Sequence, residues 1–325
     1  MIISRTPLRV SFAGGGSDLR EYYRYRQGAV VSTAIKKHMY VTVNKRFDDT
    51  IRVSYSKTEI VNNLGELRHE LVREAMRLVG IEKGIEITTI SDVPARTGLG
   101  SSSSLTVGLL NALYAYKGIS ASPKRLAKEA CEIEIDILNG PIGKQDQYIA
   151  AFGGIQHIRF NSDETVFVDP VILRPELKKE LNERLSLFYI GLRDEGHNIL
   201  NQQKNNIVNK MEILDQMVDI ANKMPTVLNR GNFEEFGKLL DQEWSLKTQL
   251  AEGITNKKID DIYNRAKRAG AIGGKILGEG GGGFLLLTFP PEKRASIKAA
   301  IPECREFPFK LDPQGSKIIY VEDEK

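Results

Sequence analysis

Hydrophobic and polar positions alternate in several short stretches of this chain and recur at helical spacing in several longer ones. Residues 84–90 alternate and are rich in β-branched side chains, which predicts a half-buried strand. Residues 105–114 place apolar side chains three and four positions apart, which predicts a buried helix. The same patterns predict further strands at 2–13, 29–35, 39–44, 51–56, 155–160, 185–190, 284–289 and 317–321. They predict further helices at 66–79, 124–137, 146–152, 199–224, 233–251, 256–269 and 291–300.

The length of the chain indicates two domains that share a substantial core. It has 325 residues, 41% of them hydrophobic, which is enough to bury such a core. Prolines at 170 and 175 interrupt the pattern, so we expect one domain at residues 1–170 and a second at 171–325. The element pattern by itself supports only a mixed α/β content.

Charge and cysteine content exclude several classes of function. A net charge of +4 is small beside 46 basic and 42 acidic side chains, and no basic stripe carries interleaved aromatics. We therefore expect no nucleic-acid partner and no membrane partner. Cys131 and Cys304 lie far apart without metal-binding spacing, and the four histidines are scattered, so neither a disulfide framework nor a histidine metal cluster is indicated. With no long apolar segment, a cytoplasmic protein is the expectation.

The strongest chemical signal is a glycine and serine run between the strand at 84–90 and the helix at 105–114. Its members are Pro94, Gly98, Leu99, Gly100, Ser101, Ser102, Ser103 and Ser104. The serines fall at a helix N-terminus, where unpaired N–H groups and the helix dipole stabilise an anion. The glycines allow a close approach to phosphate, and serine hydroxyls are ligands that suit Mg²⁺. Taken alone, the run also fits a serine-rich helix cap after a flexible loop.

Two further glycine-rich stretches accompany this run. The first follows the strand at 2–13, which carries Arg9, and consists of Gly14, Gly15, Gly16, Ser17 and Asp18. The second, residues 277–283, includes Gly280 and Gly281 and leads directly into a strand. Either could be a simple turn, but runs of glycine cost chain entropy and usually make room for a close approach. Asp146, near the start of its short helix, would by itself be read as a helix N-terminal acid.

Together, the three stretches resemble the GHMP kinase superfamily, which includes galactokinase, homoserine kinase and mevalonate kinase. Residues 94–105 resemble its phosphate loop, residues 7–18 its substrate-binding first motif, and residues 277–283 its third motif, in the family's order. The resemblance implies a two-domain α+β kinase. Its N-terminal half would be like domain 2 of ribosomal protein S5, its C-terminal half ferredoxin-like, and its active site would lie in the cleft between them. It also implies ATP and Mg²⁺.

Individual roles follow from the resemblance to galactokinases. Asp146 falls on the catalytic aspartate, Arg9 on the transition-state arginine and Glu134 on the Mg²⁺-binding glutamate, with Ser102 as the second metal ligand. The substrate-binding positions implied are Gly14, Gly15, Gly16, Ser17, Asp18, Arg193, Gly280 and Gly281. Gly15 and Gly16 replace the Glu-His pair of galactokinases, which leaves space for a larger or differently shaped sugar.

Within the family, the runs at 12–19, 143–148 and 188–193 look most like the D-glycero-D-manno-heptose 7-phosphate 1-kinases. The implied reaction is ATP-dependent phosphorylation of the anomeric C1 hydroxyl to give the 1,7-bisphosphate, on a route to nucleotide-activated heptose. Lys36, Lys37, Arg46 and Arg193 are unranked candidates for the distal phosphate. A fucose- or galactose-type sugar 1-kinase, another small-molecule kinase of the family, and a non-catalytic sensor are the alternatives, and a homodimer stays open.

Overall fold

The computed structural model describes residues 1–191 and 199–322. Its strands are β1 (Ile2–Ala13), β2 (Gly28–Lys45), β3 (Ile51–Ser54), β4 (Thr58–Val61), β5 (Ile85–Ser91), β6 (Ile155–Phe160), β7 (Val166–Pro170), β8 (Leu185–Gly191), β9 (Gly273–Ile276), β10 (Gly283–Thr288), β11 (Arg305–Phe307) and β12 (Lys317–Val321). Its α-helices are α1 (Arg20–Tyr23), α2 (Glu70–Val79), α3 (Ser101–Tyr116), α4 (Pro123–Cys131), α5 (Gln145–Phe152), α6 (Pro175–Arg184), α7 (Ile199–Asn206), α8 (Met211–Asn229), α9 (Phe233–Lys247), α10 (Lys257–Arg268) and α11 (Arg294–Ala300). A π-helical turn, Glu132–Ile137, continues α4.

Two sheets organise these elements, and the expected α+β class is confirmed. The first has the strand order β12-β1-β2-β5-β3-β4, with β6 also paired to β2 and β7 paired to β6. The second is antiparallel in the order β11-β8-β10-β9. The last strand, β12, returns to pair with β1, so the end of the chain belongs to the first sheet. The proposed boundary at residue 170 stays a prediction.

The prediction of two strands at 29–35 and 39–44 was wrong, because β2 runs unbroken through Lys36 and Lys37. Its first part pairs with β6 and its second part with β5, so the strand changes neighbours near the two lysines. The register against β1 shifts at the same place, between Pro7 and Leu8. Polar residues at this irregularity look like a loop in the sequence although they lie inside a strand.

Strand β1 lies between the two halves of the chain, and its successive side chains point to opposite sides of the strand. Leu8, Val10 and Phe12 belong to the hydrophobic core that contains the second sheet and α8 and α9. Phe12 meets Phe236 of α9 edge to face, with ring centroids 5.2 Å apart. By alternation Arg9 is directed to the opposite side of the strand. The predicted long helix at 199–224 is interrupted by a 3-10 turn before α8.

Across residues 1–191 and 199–322 the structure contains no helix with the length and apolarity needed to cross a membrane.

We predict that Gly283→Ala lowers the free energy of unfolding more than Gly118→Ala does. Both glycines have positive φ, +88° and +72°, so alanine costs about 1–2 kcal/mol at either position. At Gly283 an added Cβ would also lie 2.6 Å from the carbonyl oxygen of Thr97, whereas Gly118 faces open space. Urea unfolding of both variants tests this, and equal losses would contradict a tight contact between β10 and residue 97.

Candidate active site

The glycine and serine run forms a loop at residues 94–100 that leads directly into α3. Gly98 and Gly100 have positive φ, +83° and +71°. A Cβ on Gly100 would lie 3.1 Å from Cγ of Arg9 and 3.2 Å from Oδ2 of Asp146, so only glycine fits without displacing them. The exposed N–H groups at the start of α3 therefore lie beside these two side chains.

Arg9 and Asp146 form a two-point ion pair. Nε and Nη2 of Arg9 donate to Oδ1 and Oδ2 of Asp146 at 2.7 and 2.8 Å. The arginine also donates to the carbonyl of Gly98, and its own N–H donates to the carbonyl of Leu99 at 3.0 Å. Its side chain is 6% exposed and that of Asp146 is 23% exposed, so one edge of the carboxylate remains open to the cleft.

Glu134, on the π-helical turn, is a buried carboxylate held by side chains of α3 and α5. It accepts hydrogen bonds from Ser103 at 2.7 Å, from Thr106 at 2.6 Å, from Gln147, and from Ser102 at 3.3 Å. Burial raises the pKa of Glu134. The hydrogen bonds from Ser103, Thr106 and Gln147 lower it, but burial is the larger effect.

The Glu134 and Ser102 oxygens fit the hard-oxygen donor set that Mg²⁺ prefers. The long Ser102 bond is the weakest of the four, and Ser102 lines the cleft whereas Ser103 is buried. Within the described residues, no group of three or more histidine, cysteine or acidic side chains offers a separate metal site. A metal held here would therefore be completed by the ligand's own oxygens.

Asp18 follows the first glycine run and is buried against α5. It accepts hydrogen bonds from the N–H groups of Gly16 at 2.9 Å and Gln145 at 3.1 Å. Burial raises its pKa, and the two backbone donors act in the opposite direction. A Cβ on Gly143 would lie 2.1 Å from Oδ2 of Asp18, so this glycine makes room for the carboxylate.

Arg9, Asp146, Ser102 and Asp18 line a cleft of about 880 Å³, whereas Glu134 is buried behind its wall, in contact with Ser102. The predicted residues that line it are Arg9, Gly15, Gly16, Asp18, Pro94, Gly98, Gly100, Ser101, Ser102 and Asp146. The second half of the chain contributes Leu200, Gln203, Lys247, Lys275, Gly278 and Glu279.

Other predicted site residues lie behind the cleft wall. Leu99, Ser103 and Ser104 are buried, and Ser104 donates to the carbonyl of Pro7. The Gly14 N–H donates to Glu243, and the buried Ser17 hydroxyl donates to the Gly14 carbonyl. Gly280 and Gly281 pack against Ile254 and Ile199 rather than facing the cleft. Arg193 lies outside the described residues.

Three candidates for the distal phosphate lie away from the cleft, so this part of the prediction was wrong. Lys36 is exposed on the irregular part of β2, and Lys37 lies over the ring of Phe307, 4.6 Å from its centroid. Arg46 pairs with Asp48 and Glu86. Arg96, Lys247 and Lys275 are cationic side chains of the cleft lining that the sequence analysis overlooked, although Lys275 lies two residues before the third motif at 277–283.

An aromatic and apolar wall forms the side of the cleft beyond the loop. Tyr55 and His69 pack edge to face with ring centroids 4.6 Å apart, and Met39, Leu71 and Val93 line the same space. Burial lowers the pKa of His69, which favours the neutral ring. This wall suits a flat, weakly polar group.

Comparison with known proteins agrees with this arrangement. The family model for the GHMP kinases N terminal domain matches residues 67–154, and the model for the GHMP kinases C terminal domain matches residues 224–305. A D-glycero-alpha-D-manno-heptose 7-phosphate kinase of Campylobacter jejuni is 29% identical over 317 residues, covering 92% of this chain and 93% of the relative. An L-fucokinase/L-fucose-1-P guanylyltransferase of Bacteroides fragilis is 26% identical, covering 93% of this chain but 36% of that protein.

The fold recurs in a solved structure. The crystal structure of a D-glycero-D-manno-heptose 1-phosphate kinase from Bacteroides thetaiotaomicron has a TM-score of 0.82 and 24% identity, covering 99% of this chain and all of that one. Both domain matches occur in the expected order, and this full-length structural match shows the same fold. The chain therefore belongs to the GHMP kinase family, whose members transfer phosphate from ATP.

Proposed function

We propose that this protein is a sugar 1-kinase that transfers the γ-phosphate of ATP to the anomeric hydroxyl of D-glycero-D-manno-heptose 7-phosphate. The observation that carries the proposal is the Arg9–Asp146 ion pair, which borders the cleft beside the glycine loop at the start of α3. The heptose phosphate kinase of Campylobacter jejuni supports the choice of substrate. The fucokinase relative favours a fucose-type 1-kinase as the second candidate.

The nucleotide would bind to the loop before α3 and to the aromatic wall beyond it. N–H groups at residues 98–103 would hold its phosphates, because the N-terminus of α3 favours anions. The base would lie against Tyr55 and His69, whose rings offer an apolar surface. Mg²⁺ held by Ser102 and Glu134 would neutralise charge on the phosphates.

Phosphate transfer requires positioning and charge stabilisation more than covalent chemistry from the protein. Asp146 would accept or orient the proton of the attacking hydroxyl, and its exposed edge faces the cleft for this purpose. Arg9 fixes the plane of that carboxylate and would stabilise charge on the transferred group. Asp18, held by two main-chain donors, would bind sugar hydroxyls.

A substrate comparison tests the proposal directly. With ATP and Mg²⁺, we expect strong turnover on D-glycero-D-manno-heptose 7-phosphate, with the product phosphorylated at C1, and little turnover on sedoheptulose 7-phosphate, fucose, galactose, mannose or mevalonate. Preferential turnover of fucose would establish the second candidate instead. ATP binding without turnover of any of these compounds would favour a sensor.

We predict that Asp146→Asn lowers kcat by at least about 100-fold, because the amide cannot accept the proton. Asparagine keeps the size of the side chain and one acceptor for Arg9, so ATP binding should persist. Steady-state kinetics and calorimetric titration with ATP measure the two effects. Asp136→Asn is the matched control, since Asp136 is an exposed partner of Arg20. Turnover near that of the wild type in Asp146→Asn would exclude Asp146 from the reaction.

We also predict that the Mg²⁺ concentration needed for half-maximal activity rises as the pH is lowered. Burial raises the pKa of Glu134 above its ordinary 4.5, so the carboxylate gains its proton, and loses its charge, at a higher pH than an exposed glutamate does. Glu134→Gln should need more Mg²⁺ at every pH and lose this pH dependence. Glu132→Gln, an exposed neighbour on the same turn, serves as control. A pH-independent Mg²⁺ requirement in the wild type would contradict the role of Glu134.

A further inference from the structure

Two lysines of the second half line the cleft although both are almost fully buried. Lys247, in the last turn of α9, is 6% exposed, and Lys275 of β9 is 1% exposed. Burying an ammonium group costs several kcal/mol unless partners compensate for the lost water. Such side chains are therefore seldom buried unless they are paired.

The ammonium group of Lys275 has hydrogen-bond acceptors for two of its three N–H donors. Its Nζ donates to Oε1 of Glu243 and to the carbonyl oxygen of Phe12, each at 3.2 Å. An ammonium carries three donors, and residues 1–191 and 199–322 supply it with only these two acceptors. The third N–H is thus available to a ligand in the cleft that Lys275 lines.

Glu243 ties this lysine to the first glycine run. Its Oε1 also accepts the N–H of Gly14 at 3.0 Å. Burial raises the pKa of this carboxylate, and the positive charges of Lys275 and Lys247 oppose that effect. Lys247 additionally donates to the carbonyls of Ile276 and Gly278. Glu243 therefore positions Lys275 through a direct ion pair, whereas Lys247 acts on the Glu243 carboxylate through its charge.

The first glycine run connects the contact with Glu243 to Asp18 through one turn. The Ser17 N–H donates to the Gly14 carbonyl at 3.1 Å, a turn that brings the two Cα atoms within about 7 Å. Gly14 contacts Glu243 at one end of this turn, and Asp18 follows Ser17 at the other. Gly15 and Gly16 line the cleft between them without side chains, which leaves room for an extended ligand.

We infer that Lys275 and Lys247 form a subsite for a phosphate monoester that the acceptor sugar already carries at the end away from its reacting hydroxyl. The inference rests on the proposed function, because it requires a phosphorylated acceptor. A dianionic phosphate supplies an acceptor to the third N–H of Lys275, and a charge-assisted hydrogen bond of this kind is a strong one. The charge of Lys247 on the same cleft wall adds to the attraction. Glu243 keeps the ammonium of Lys275 within reach of the glycine run.

The test compares D-glycero-D-manno-heptose 7-phosphate with the same heptose lacking its phosphate, in the wild type, Lys247→Gln and the double variant Lys275→Gln/Glu243→Gln. The double variant avoids leaving the Glu243 carboxylate buried without its lysine. We expect kcat/KM for the heptose phosphate to fall about 10- to 100-fold in each, mainly through KM, while kcat/KM for the unphosphorylated heptose changes little. Lys238→Gln is the control, since Lys238 lies on α9 in an exposed ion pair with Glu234.

The outcomes separate the subsite from the proposed function. If the wild type prefers the phosphorylated sugar and both lysine variants keep that preference, the subsite is overturned but the proposed function is not. A wild type that turns over the two heptoses equally would overturn the proposed substrate and the subsite with it. An increase in melting temperature on addition of ATP verifies that each variant is folded. If the double variant is not folded, the kinetics of Lys247→Gln alone test the subsite.

Discussion

The ion pair between Arg9 and Asp146 is the interaction on which the rest of the site depends. It joins β1 to the start of α5, and through the carbonyls of Gly98 and Leu99 it also fixes the loop before α3. Arg9 is buried whereas Asp146 is partly exposed, so losing the carboxylate altogether would leave the buried arginine without its charged partner. The same contact therefore sets both the stability of this region and the placement of the carboxylate proposed to meet the acceptor hydroxyl.

Close backbone approaches allow these charges to assemble. Gly100 lies against Arg9 and Asp146, Gly143 lies against Asp18, and a Cβ on Gly14 would lie 1.9 Å from the carbonyl oxygen of Ala29. Each position brings main chain to a place where a side chain would displace a charged group or a strand. Glycine in this site is thus a packing requirement, and the backbone N–H groups it exposes are a consequence of that packing.

The sequence predicts the local parts of the site well and the long-range parts poorly. The periodicity locates β1, β5, α3 and α5, and resemblance to the family selects Arg9, Glu134 and Asp146. Arg9 and Asp146 line the cleft, and Glu134 is buried beside it in contact with Ser102. Strand β9 and helix α6 were not predicted, because glycines and prolines obscure their pattern. Lys247 and Lys275 were also missed, since a lysine is exposed by default and its burial here depends on Glu243, whose proximity no local pattern reveals.

The buried lysines bear on the choice between the two sugar kinase candidates. The Glu243 carboxylate balances one of the two buried ammonium charges, and a neutral sugar such as fucose offers only hydroxyl groups to the remaining charge. A phosphorylated acceptor would bring a negative charge that balances it, and in the proposed function ATP would bind at the α3 end of the same cleft. Two anionic ligands in one cleft repel each other unless fixed cations lie beside each. Arg9 and Lys275 both line the cleft, so it has cations for two anionic ligands, as the proposed phosphorylated acceptor would require.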